Sequence, residues 1–338
     1  KAINHRPDLF SHIWIIRELF AINNEKFDFE YENKDFSNLK DLWIKNEIQN
    51  IVKRYIWLKI ENVSNIDSPN YIKQVLNSAE VASKWLLIDI SNYSLYLYGQ
   101  PTHCFDADKI KWNITIRYAK NGENFLALND LKYELSSKDI VIADEEKILA
   151  LWWIIWGKDS SVSDETKNII VEAAHFDQAI IRKTWKKLWI RTDSLNVFEK
   201  DILLEMPSRA ASLIANELEK NIDWIKLTEF SDLYPEKQKI INIDFDLNFI
   251  NNLIGKNYTQ KEALKILKNL WIEENSLILT IPFWRKDLKY KADIAEEIAR
   301  IDWYDNIEAT VPRINLWAVV QNSIYKFKND TRSYFTNK

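Results

Sequence analysis

Apolar positions recur every three or four residues over 11–22, "SHIWIIRELFAI", and predict an amphipathic helix with Ser11 as N-cap. The same logic predicts helices over 68–79, opened by Ser68 and Pro69, and over 204–221. It also predicts one over 258–270, with a capping box from Thr259 to Glu262. A further helix over 291–301 carries an apolar stripe at Ile294, Ile298 and Ile301. β-branched content and alternation predict strands over 54–63, 113–119, 139–144, 148–151 and 276–283, and 168–176 is another apolar run with a strand pattern. Residues 25–50 read as a polar connection with short elements, 85–110 as an apolar stretch and then a loop, and 222–240 as a linker. The helix, strand and helix within 240–310 make a small α+β module. No internal repeat is visible.

Composition narrows the class. A chain of 338 residues, 46% hydrophobic and 28% charged, can bury a core and suggests roughly two domains. No apolar run reaches the ~18 residues of a membrane helix. The polar start, "KAINHRPDLFSH", has no signal-peptide pattern and reads as the middle of something longer. One cysteine, Cys104, excludes an internal disulfide and a thiolate zinc site, and a reducing cytoplasm fits. The net charge of −4 leaves nucleic-acid contact to local patches. The four histidines lack metal-site spacing. Neither glycine-rich phosphate motif occurs. His103 and Cys104 are adjacent on an extended segment, so their side chains point apart and do not make a dyad.

Two acidic sets carry candidate chemistry. Glu172 is a single carboxylate in "IIVEAAHF" and is either a specificity or acid–base group or a partly exposed strand residue. Asp293, Glu296 and Glu297 share one helix face, with Asp287 just upstream. Such oxygens suit a hard cation, but the residues alone favour a solvated acidic helix start. The basic run Arg182, Lys183, Lys186, Lys187 and Arg191 reads as a solvated surface more readily than as a phosphate site.

Five stretches in this order resemble the β subunits of bacterial phenylalanyl-tRNA synthetases. They are "NHRPDLFSHIWIIREL" (4–19), "DISNY…GQPTHCFD" (89–106), "ALWWIIWGKDSSVSDETKNIIVEAAHF" (150–176), "IRTDSLNVFEK" (190–200) and "IPFWRKDLKYKADIAEEIARIDWYDNI" (281–307). The resemblance implies an α+β chain in which a mixed-sheet B3/B4 editing unit is followed by a small α+β B5 module. By position, 1–44 match the end of the N-terminal module B1 and a connection. Residues 45–205 match the B3/B4 tRNA-editing domain, and 206–239 a helix and linker. Residues 240–310 match B5, and 311–338 the truncated start of a catalytic-like core. Members are much longer, so an internal fragment lacking the synthetic site is expected.

The resemblance also implies function. The holoenzyme would be an α2β2 heterotetramer in the cytoplasm, an aminoacyl-tRNA ligase charging tRNA-Phe with phenylalanine using ATP. This part would hydrolyse mischarged Tyr-tRNA-Phe and support the α subunit. The implied editing pocket comprises Ser91, Asn92, His103, Trp153, Trp156, Glu172, Thr192 and Ser194, with Glu172 reading the tyrosyl hydroxyl. Ser194 departs from the family's alanine. The implied Mg²⁺ ligands, shared with the α subunit, are Asp287, Asp293, Glu296 and Glu297. A scaffold that binds tRNA or docks a subunit, with editing lost, is the alternative. A free-standing nucleic-acid-binding protein built on 240–310 is a third reading, opposed by the net acidity.

One ratio stands apart. The chain has 4 glycines and 15 tryptophans, whereas ~7% glycine usage gives about 24. Trp271 and Trp303 follow helical stretches where a glycine is expected, and Trp112 precedes a strand. The family has glycine at several tryptophan positions but expects Trp284. The expectation is that the other 14 tryptophans stand for glycines, as they would if UGA codons meaning glycine were decoded as tryptophan.

Overall fold

The computed structural model describes residues 6–111, 114–127, 130–151, 155–182, 192–309 and 322–336, with the backbone alone at 155 and 156. Trp112, Trp152, Trp153, Lys183, Lys186, Lys187 and Arg191, singled out in the sequence, lie outside the described residues. The helices are α1 (His12–Ile22), α2 (Asn70–Ser78), α3 (Leu86–Tyr98), α4 (Asp193–Phe198), α5 (Met206–Asn221), α6 (Leu247–Ile254), α7 (Gln260–Asn269), α8 (Lys291–Ile301) and α9 (Ser323–Thr336). The strands are β1 (Lys40–Asp41), β2 (Ile44–Asn46), β3 (Val52–Glu61), β4 (Thr102–Asp106), β5 (Ile114–Tyr118), β6 (Asn124–Leu126), β7 (Lys132–Glu134) and β8 (Ile140–Ala143). They continue with β9 (Ile148–Leu151), β10 (Ile155–Trp156), β11 (Asn168–Phe176), β12 (Lys226–Leu233), β13 (Ile241–Asp244), β14 (Glu273–Asn275) and β15 (Ile278–Ile281).

A mixed five-stranded sheet runs β1-β12-β3-β11-β4, and a second runs β10-β9-β8-β5-β2. The two face each other across a core of Tyr55, Trp57, Phe105, Ile170, Ile114 and Leu149. The outer face of the first sheet, through Ile56, Leu58, Val171 and Ala173, packs on α1, α2, α3 and α5. Alternation along β11 therefore sends Ile170, Glu172 and Ala174 toward the second sheet and Ile169, Val171 and Ala173 toward the helices. A separate α+β module holds β13-β15-β14 with α6, α7 and α8 around its own core. This is the α+β architecture with mixed sheets that the sequence predicts.

Several elements depart from expectation. The stretch read as a linker contains β12, inserted between β1 and β3. Its charged residues meet partners on β3 rather than water: Lys59 Nζ donates to Glu229 at 3.0 Å and Arg54 Nη2 to Asp232 at 2.7 Å. The apolar stretch after 85 is the helix α3 followed by β4. Ser68 does not cap α2. It donates to Asp89 at 2.6 Å, and Pro69 holds the N-cap position. Ser11 holds the α1 N-cap position without a side-chain bond. The α7 capping box forms as expected, with Glu262 N–H donating to Thr259 Oγ1 at 3.3 Å. Among the described residues no helix is long and apolar enough to cross a membrane.

Candidate functional site

Glu172 is 1% exposed, which removes the partly exposed reading. It stands opposite Trp57 on β3 and opposite His103 on β4. Aromatic rings line this spot between the sheets. Trp57 stacks on Phe105 with centroids 5.4 Å apart, and His103 meets Phe105 edge to face at 4.4 Å. The Tyr55 hydroxyl neighbours both the Glu172 carboxylate and the Trp57 indole. Burial, and then the neighbouring carboxylate, push the Tyr55 phenol well above its ordinary range. His103 Nε2 is enclosed, and burial pushes the imidazole down to about 3, so the ring is neutral near pH 7. A buried carboxylate needs hydrogen-bond donors, and the Tyr55 hydroxyl is one.

The other expected pocket residues lie on α3 and at the start of α4. Ser91 Oγ meets Cys104 Sγ at 3.5 Å, on the helix-covered face, away from Glu172. Burial pushes the Cys104 thiol up to about 11, so it is no nucleophile near neutral pH. Asn92 is half-buried on α3, one turn before Tyr96, whose hydroxyl donates to Asp193 at 2.9 Å. That bond ties α3 to the start of α4. Thr192 caps α4 there, accepting from Leu195 N–H at 3.2 Å, and Ser194 is half-buried in its first turn. The structure thus pairs Glu172 with His103 and ties the helix of Ser91 and Asn92 to that of Thr192 and Ser194. Trp153 lies outside the described residues, and of Trp156 only the backbone, in β10, is described. Just beyond it, a Cβ at Gly157 would stand 2.7 Å from the Leu149 carbonyl oxygen, so the turn admits only glycine.

The acidic set borders a cleft of about 760 Å³ between α1 and α8. Asp287 accepts from Arg285 Nε at 3.0 Å and Nη2 at 2.8 Å. Asp293 accepts from the N–H groups of Lys289 and Tyr290, at 2.8 Å each, and so caps α8. Glu297 accepts from Arg285 and from Arg300 at 2.7 Å each. Burial raises the Glu297 pKa, but the two arginines outweigh it and hold the carboxyl down at about 2. Glu296 is exposed at the rim. Among the described residues no three Asp, Glu, His or Cys converge as a cation site, so these four do not by themselves fit Mg²⁺.

A family profile described as "B3/4 domain" matches residues 51–222, just over half of the chain. The chain belongs to the B3/4 domain family. A second profile, "tRNA synthetase B5 domain", matches residues 243–304. The phenylalanine–tRNA ligase β subunit of Fusobacterium nucleatum is 36% identical over 97% of this chain and 42% of its own length. That of Carboxydothermus hydrogenoformans is 32% identical over 98% of this chain and 42% of its own length. The chain thus spans well under half of these relatives. A solved N-terminal fragment of the phenylalanyl-tRNA synthetase β subunit of Pyrococcus horikoshii is similar at 18% identity and a TM-score of 0.48, covering 88% of this chain and 84% of that one.

Within the B3/4 domain, sequence reasoning missed Tyr55 and Trp57 because their meeting with Glu172 depends on strand register. The signal available was two aromatic residues at i, i+2 in a strand, which places both on one face. In the B5 domain it missed Arg285, the buried cation that binds two of the four carboxylates.

Proposed function

We propose that the B3/4 domain is a hydrolytic editing site that clears tyrosine mischarged on tRNA-Phe. The observation that supports this is Glu172, a carboxylate enclosed by aromatic rings between two sheets. A site built to accept a hydrogen bond from a phenol rejects a phenyl ring by up to ~10⁴–10⁵. The described residues offer no activated nucleophile, since Cys104 faces the helices and His103 is enclosed. Water therefore attacks the ester carbonyl, releasing tyrosine and the free tRNA 3′ hydroxyl, with backbone N–H groups steadying the developing oxyanion. The whole protein, with an α partner in a heterotetramer, would charge tRNA-Phe with phenylalanine using ATP.

The test is release of labelled tyrosine from Tyr-tRNA-Phe by the assembly containing this chain. Glu172→Ala is expected to lower it at least about a hundredfold, toward the rate with Phe-tRNA-Phe. An unchanged preference for tyrosine removes Glu172 from the role. A second reading, subunit docking, is favoured by exposed Ile15 and Leu19 of α1 in the cleft beside Glu296. Mg²⁺ would need donors from the α subunit to complete that cleft, and its binding should appear only in the assembly.

A further inference from the structure

Arg17 of α1 is 3% exposed, yet its Nε, Nη1 and Nη2 all lack a hydrogen-bonded acceptor. The Tyr31 hydroxyl is a polar neighbour, but burial pushes that phenol above its ordinary range, so it is neutral and brings no anion. The other three buried arginines among the described residues are each paired: Arg6 with Asp8 at 2.6 Å, Arg54 with Asp232 at 2.7 Å and Arg285 with Asp287 at 2.8 Å. A buried charge is ordinarily paired or driven toward neutrality. Burial lowers the Arg17 pKa, whereas the carboxylates outweigh burial and raise those of the other three. Arg209 of α5 repeats the pattern. It is half-buried, its Nε has no hydrogen-bond partner, and burial pushes its pKa down. Glu205, one turn before it, is bonded instead to Arg54 and Tyr234. Both guanidinium carbons stand over the Tyr31 ring, Arg17 at 5.7 Å and Arg209 at 5.0 Å. Arg17 also lies 4.1 Å from the Trp284 ring, and Arg209 4.9 Å from that of Phe283. These residues line a cleft of about 500 Å³ where α1 and α5 meet the chain after β15.

We propose that this cleft binds a compact phosphate group, as free phosphate or on a small phosphorylated molecule, held between the guanidinium groups of Arg17 and Arg209. A tetrahedral dianion accepts from two planar forks at once, whereas a single fork already fills a carboxylate. A guanidinium is weakly hydrated and stays charged when enclosed, which suits it to wait unpaired for an anion. Exposed Glu30 and Glu273 flank the mouth of the cleft. They repel an extended polyanion, so one phosphate group is favoured over the backbone of a nucleic acid. Trp14 and Trp271 also touch Arg17, at 4.5 and 4.9 Å, and both stand where glycine is expected. An indole offers a donor and no acceptor, so glycine in their place uncovers the cation without removing a partner. The site lies on the helix-covered side of the first sheet and is independent of the editing reading at Glu172.

The experiment titrates inorganic phosphate and acetate into the unaltered chain and its Trp271→Gly variant, read by calorimetry and phosphorus NMR. Trp271→Gly is expected to bind phosphate saturably and at least about tenfold tighter than acetate, with the unaltered chain equal or weaker because an indole covers Arg17. Arg17→Met keeps an apolar stem against the rings and removes the fork. In the Trp271→Gly background it is expected to weaken phosphate binding at least about tenfold, and Arg209→Met to do the same. Arg209→Met, at a half-buried position, carries the test should Arg17→Met fail to fold. Phosphate should also raise the melting temperature of the Trp271→Gly chain and not that of the methionine variants, since a ligand of the folded state stabilises it by mass action. No saturable binding by either form overturns the site. So does binding that the methionine substitutions leave unchanged, or acetate held as tightly as phosphate. A short single-stranded RNA that binds through the two arginines while phosphate does not overturns it as well.

Discussion

Arg285, 2% exposed, donates its Nη1–H to Glu297 Oε2 at 2.7 Å and holds Asp287 with its other edge. Removing one partner of such a pair strands a buried charge, which costs ~3–5 kcal/mol. Glu297→Gln is therefore expected to lower stability by about that much, read from urea midpoints. The folded pKa of Glu297, about 2, lies below its ordinary 4.5. Its contribution is complete above about pH 4.5 and is lost as pH falls through about 2. Stability of the unaltered chain and of Glu297→Gln should converge over that window. Parallel curves from pH 7 to pH 2 would contradict the pairing.

His103 should not titrate in the physiological range. With its folded pKa pushed down to about 3, only the unfolded state takes up a proton as pH falls below about 6.5. The stabilisation from the neutral ring is whole above that pH and is lost progressively toward pH 3. Imidazole proton shifts followed by NMR from pH 8 to pH 5 should stay flat for His103. A midpoint near 6 would show that the ring is solvated.

Tyr55 and Glu172 should be energetically coupled. The carboxylate raises the phenol's pKa, so each is the other's polar neighbour inside the core. A double-mutant cycle with Tyr55→Phe and Glu172→Gln should return a coupling of ~1–3 kcal/mol. Strict additivity would separate the two groups and weaken the case for a hydroxyl-reading carboxylate.

Trp224, Trp271 and Trp303 have φ of 68°, 65° and 66°, a left-handed conformation that costs a bulky residue ~1–3 kcal/mol. Gly99 and Gly255 hold the same conformation at the ends of α3 and α6. These angles meet the expectation that glycine belongs after α7 and α8. Trp224→Gly and Trp303→Gly should each stabilise by about 1 kcal/mol, since both indoles are mostly exposed, at 87% and 56%. Trp271→Gly should gain less, because its ring packs on Trp284 and under Arg17 and Lys26. Restoring glycine at these three positions together should raise the melting temperature further. Reading the gene's codons there checks the cause directly, and a run of UGG codons would end the argument.

The legible parts of the chain were those whose chemistry is local. The stripe of α8 and the capping box of α7 need only neighbours within four residues, and both fell where the sequence puts them. α3 was missed because it is buried on most sides and shows no polar face, so no 3.6-residue period appears. β12 was missed because Glu229 and Asp232 look solvated until Lys59 and Arg54 arrive from a strand far away in sequence. Glu172 stood out as one carboxylate in an apolar run. Its aromatic surroundings did not, since they are set by the register of β3 and β4 against β11.

The insertion of β12 beside β3 also has a temporal side. Lys59 waits for Glu229, 170 residues later, before that edge of the central sheet is covered. At a synthesis rate of ~5–20 residues per second, the ribosome leaves the flank of β3 open for roughly 10–30 seconds. A nascent chain with a bare, apolar-faced strand is a template for intermolecular pairing during that interval. Covering that side of β3 is thus among the later steps by which the central sheet is completed as the chain is made.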